Sequence, residues 1–72
     1  MKILWKYISG NIKVKVKARN ENNKAVYFDF QCYVEKELGA YDKFDYIDDV
    51  ALAMANLRNL HHYEIVELEE LD

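Results

Sequence analysis

With 72 residues the chain has room for one domain, residues 1–72, and a chain of this size buries only about 60% of its extended surface on folding. Cys32 is the only cysteine, which excludes an internal disulfide. Lysines interrupt every apolar run near the N-terminus, which excludes a spanning helix of about 20 apolar residues. The net charge of −3 conceals a split: residues 1–25 carry seven bases against Glu21, a net of +6, and residues 26–72 carry three bases against twelve acids, a net of −9.

A hydrophobic fraction of 51% supports a folded core, and the ten aromatic residues supply much of what can be buried. The lone cysteine and the lack of a secretory leader lead to the expectation of a reducing, cytoplasmic setting. Proline and threonine are absent, lysine outnumbers arginine eight to two, and asparagine occurs six times. These are the marks of AT-rich coding, bacterial or viral, and together with the small size and the charge division they suit a phage or mobile-element accessory protein.

Residues 2–8 alternate, with Ile3, Trp5 and Tyr7 on one face, and they predict a first strand. Ser9-Gly10-Asn11 reads as a turn. A two-residue turn there sets Trp5 opposite Val14 and Lys6 beside Lys13. Residues 12–19 alternate cleanly, Ile12, Val14, Val16 and Ala18 inward and Lys13, Lys15, Lys17 and Arg19 outward. A second turn falls at residues 20–23, and residues 25–34 form the next strand, with Val26, Phe28, Phe30, Cys32 and Val34 inward. Uniting the two apolar faces requires a loop of odd length or one that carries a bulge, and three residues with an asparagine in the left-handed region fit. In that register Lys15 lies opposite Tyr27 and Lys13 opposite Asp29.

Residues 35–43 read as a connection in which Glu35–Leu38 form a helical turn stopped by Gly39. Ile47, Val50, Ala51, Met54, Leu57 and Arg58 then follow helical spacing and predict a helix over 45–61 with Asp45 as its N-cap. Residues 63–68 predict a fourth strand, beside the first or the third, and 69–72 an acidic tail. The predicted fold is a small two-layer α+β domain of order β-β-β-α-β, an antiparallel meander with one helix packed on one face.

No catalytic, cofactor or metal motif emerges. His61 and His62 are neighbours and point apart, so with Glu64 they do not make the three or four convergent ligands of a zinc site. Cys32 falls on the core face, where a thiol behaves as a small hydrophobe. Asp48 and Asp49 are about 100° apart on a helix and do not face each other. Two surfaces remain as partner-binding candidates. One is basic and aromatic: Lys6, Lys13, Lys15 and Lys17 with Tyr27 and Tyr33, joined by the apolar Leu4 and Ile8. The other is acidic: Asp45, Asp48 and Asp49 with Glu64 and Glu67. The expectation is a non-enzymatic protein-binding module, an accessory protein that modulates a host factor, with a protein that handles nucleic acid among the partners considered. The alternative is direct nucleic-acid binding through the lysine and tyrosine face. Homodimerisation through a sheet face or edge is a further expectation, and no membrane partner is expected.

Overall fold

A computed structural model describes residues 4–71. Trp5–Tyr7 form a short 3-10 turn, followed by β1 (Gly10–Arg19), β2 (Ala25–Val34), helix α1 (Ala40–Leu57) and β3 (His61–Glu70). The three strands make one antiparallel sheet in the order β2-β1-β3, and the helix supplies the second layer of an α+β fold.

The central strand is the one whose alternation is cleanest. Ile12, Val14, Val16 and Ala18 are sealed to within 1% of full burial. Ile12, Val14 and Val16 cluster with Ile47 and Ala51 of the helix, with Phe30 and Val34 of β2 and the half-buried Ile65 and Leu68 of β3 around them. A smaller cluster of Ala18, Ala55 and Leu60 closes the far end.

The β1–β2 turn has the predicted chemistry. Asn20 N–H donates to the Lys24 carbonyl at 3.0 Å, Asn23 N–H donates to the Asn20 carbonyl at 2.9 Å, and Asn23 takes φ 60°. This is a three-residue loop, Glu21–Asn23, with its asparagine in the left-handed region. The Asn20 side chain accepts from the backbone N–H of Asn22 and of Lys24 and fixes the loop. The loop lies one residue later than the predicted pairing required. Lys15 therefore faces Asp29 and Lys17 faces Tyr27, while Lys13 faces Gln31; the faces are as predicted and the register differs by two residues.

No strand forms over the described part of 2–8. Residues 4–8 hold the 3-10 turn, and Lys2 and Ile3 lie outside the described residues. The pairing of Trp5 with Val14 and of Lys6 with Lys13 is corrected accordingly. β1 has two edges, and β3 occupies the second. The physical reason is charge: a strand carrying Lys6 would set like charges beside the lysines of β1, whereas β3 sets glutamates there. The last strand thus lies beside residues 12–19, not beside either strand expected. Trp5 instead packs edge-on against Phe44 of the helix, ring centres 5.1 Å apart, and Ile8 is buried in the core.

The helix begins five residues before its predicted start, and Gly39, not Asp45, is its N-cap. The inward stripe is Lys43, Ile47, Ala51 and Ala55, spaced by four. A lysine at its head disguises the first turn as polar. Lys43 is 1% exposed, and its ammonium donates to the Lys6 carbonyl at 2.9 Å, tying the helix to the 3-10 turn. The C-terminus is a Schellman motif: Leu60 N–H reaches the Ala55 carbonyl at 2.9 Å, Asn59 N–H reaches Asn56 at 3.1 Å, and Asn59 takes φ 57°. The motif ends the helix at Leu57, ahead of the predicted 61. β3 runs longer than 63–68, and Glu69 and Glu70 are paired in the sheet instead of forming a tail. Asp72 lies outside the described residues.

Candidate functional site

The outer sheet face carries the residues that the sequence marked as basic. β1 presents Lys13, Lys15, Lys17 and Arg19 there. On one side β2 sets Gln31, Asp29 and Tyr27 opposite the first three. On the other side β3 sets Glu69 opposite Lys13, Glu67 opposite Lys15 and Glu64 opposite Lys17. Opposite charges directly across a ladder contribute roughly 0.2–1 kcal/mol each. Lys13 also reaches Asp29 diagonally at 3.8 Å, and the Lys15 ammonium lies 5.8 Å from the Tyr27 ring centre. Four cationic side chains therefore stand among four carboxylates, Asp29, Glu64, Glu67 and Glu69, on one face. The two oppositely charged parts of the sequence close onto each other like facing teeth, and the face is neutral in sum.

Lys6 lies apart from this row. It is exposed near the 3-10 turn, its ammonium 5.9 Å from the Tyr7 ring centre. The acidic candidates separate as well. Glu64 and Glu67 belong to the sheet face, Asp45 and Asp49 are exposed on the helix, and Asp48 is engaged: both of its carboxylate oxygens lie 3.1 Å from the Tyr63 hydroxyl, which donates to them. Burial, that hydrogen bond and the negative charges of Asp48 and Asp49 raise the Tyr63 phenol above its ordinary 10.0. Asp48 thus latches α1 to β3.

A second feature is not visible in the sequence pattern. Tyr33 from the end of β2, Glu35 and Leu38 from the connection, and Asp42 and Tyr46 from the start of the helix line a shallow, mainly apolar groove of about 430 Å³. The early helix start creates it, since residues 42 and 46 are one helical turn apart and share a face. Tyr33 and Tyr46 are exposed, as is Tyr41 nearby in sequence, and Glu35 and Asp42 give the groove a negative rim. The available signal was the density of tyrosine and acid over residues 33–46, hidden because that stretch reads as a connection.

Cys32 is half-buried on the inner face, and burial raises its thiol pKa, which disfavours the thiolate a nucleophile needs. Among the described residues no three His, Cys, Asp or Glu side chains converge on a metal-sized site, and no helix is long and apolar enough to cross a membrane. Comparison with family models, with curated proteins and with solved structures finds no match to this chain.

Proposed function

We propose that the protein is a non-enzymatic binding module that captures a basic segment of another protein in the groove of Tyr33, Leu38 and Tyr46. The observation that carries this reading is the groove itself, where exposed aromatic rings adjoin Glu35 and Asp42. Aromatic side chains with few rotatable bonds lose little entropy on contact, and complementary charge at the rim steers a cationic partner. The occupant is a short peptide with an apolar anchor flanked by lysine or arginine. Stoichiometric binding of this kind suits an accessory protein that modulates a host factor.

Fluorescence anisotropy with a labelled peptide of alternating lysine and leucine tests the reading. Binding is expected to weaken several-fold as salt rises, to fall further with Asp42→Asn, and to be lost with Tyr46→Ala. A glutamate-for-lysine version of the peptide that binds equally well would sink it.

Direct nucleic-acid binding receives less support, because each lysine of the β1 row has a carboxylate across the ladder. The triple variant Glu64→Gln, Glu67→Gln, Glu69→Gln uncovers the row. It is expected to bind single-stranded DNA at low salt where the parent chain does not. Tight, salt-sensitive DNA binding by the parent would reverse this preference.

A further inference from the structure

β2 is an edge strand: among the described residues it pairs only with β1. Its ladder to β1 is regular over ten residues, with no bulge. The hydrogen bond from Asn20 N–H to the Lys24 carbonyl makes that closing pair a hydrogen-bonded one. Pair types alternate along an antiparallel ladder. The even-numbered residues of β2 therefore turn their N–H and C=O toward β1, and Tyr27, Asp29, Gln31 and Tyr33 turn theirs to the open edge. Natural edges are protected by lysines, prolines or bulges. β2 has no lysine, proline or bulge between Ala25 and Val34, and its one charge is Asp29.

The sequence of this edge is nearly a palindrome about Phe30. Counting outward, Asp29 is matched by Gln31, Phe28 by Cys32, Tyr27 by Tyr33 and Val26 by Val34. A twofold interface requires a patch that complements itself, and an antiparallel pair of identical strands is such a patch when matched positions are compatible. The inner face asks for a neighbour too. Val16 and Ile12 of β1 are sealed, whereas their β2 partners Phe28 and Cys32 are half-buried, as is Val26.

We infer that two copies of this chain join edge to edge through β2, antiparallel about Phe30, into a continuous six-stranded sheet. In this register Tyr27 packs on Tyr33 of the second copy at both ends, and Asp29 faces Gln31. Phe28 and Cys32 cover each other on the inner face. Alternative axes are worse. An axis at Asp29 sets Asp29 against its own copy, and an axis at Gln31 sets Tyr27 against Glu35 and leaves Val26 opposite Lys36. A shift by one residue turns apolar faces against polar ones. The helices of both copies then lie on one side of the sheet and the neutralised rows on the other.

Sedimentation equilibrium of the full chain is expected to give twice its 8.6 kDa. Gln31→Pro removes an outward N–H at a position where an edge strand tolerates proline, so the chain is expected to stay folded by circular dichroism and to become monomeric. Gln31→Glu separates the interface from the fold. Within the chain it faces Lys13, so monomer stability holds; across the axis it faces Asp29 twice, so dimerisation is expected to weaken roughly tenfold at low salt and to recover at high salt. A parent chain that stays monomeric at millimolar concentration, or a folded Gln31→Pro that stays dimeric, overturns the inference. A Gln31→Glu dimer as tight as the parent's overturns the Phe30 axis. Gln31 does not line the groove, so a monomeric Gln31→Pro that still takes up the lysine-leucine peptide distinguishes failure here from failure of the binding function.

Discussion

The two strands that flank β1 are equally long and hold to it by different means. β2 is anchored by burial: Phe30 and Val34 are 8% and 0% exposed, and its ladder is regular. β3 has no fully buried residue. Its ladder shifts register twice, with His62 at φ 52°, and its outward side chains alternate glutamates against lysines. Bulges and charge also blunt β3 as an edge, whereas β2 stays regular and carries a single charge, Asp29. One flank thus contributes core and an open edge, and the other contributes electrostatic complement and a protected edge.

The largest expected effect breaks the β2 side. Phe30→Ala should cost about 3–5 kcal/mol in urea unfolding, as expected for a buried aromatic. Ile65→Ala at the half-buried β3 position should cost about 2 kcal/mol, the lower end of the buried range; an equal loss at both sites would erase the distinction. Tyr63→Phe should cost about 1–2 kcal/mol at neutral pH by removing the latch to Asp48. The phenol is held protonated in the folded chain, so its folded pKa exceeds the unfolded one. The latch is therefore whole below pH 10 and lost as pH rises through the higher folded value. Parent and variant stabilities should converge only in that alkaline range. Smallest of all, Glu67→Lys opposite Lys15 should cost about 0.5–1 kcal/mol, and 1 M salt should remove most of the loss. A salt-independent loss would mean that β3 is held by packing instead of charge.

Residues 12–19 show how much the sequence made legible. Clean alternation there predicted a strand and its inward residues, and the asparagines of 20–23 predicted the turn that follows, because these depend on side-chain period and local backbone preference. Residues 2–8 alternate almost as well and do not form a strand over their described part. Alternation reports the ability to pair, and β1 has only two edges to offer. The groove was illegible because the helix start depends on Lys43, whose burial no local rule anticipates; its ammonium is satisfied by a carbonyl 37 positions earlier.

The sequence by itself determined the α+β class, the sealed face of β1, the helix and the charge division along the chain. Only the tertiary structure decided where those charges meet. Strand order is set by competition between distant segments for the same ladder, and β3 prevails beside β1 by setting a glutamate against each of Lys13, Lys15 and Lys17. The part of the division carried by the strands becomes one neutral surface on the folded sheet, while Asp45 and Asp49 stay exposed on the helix.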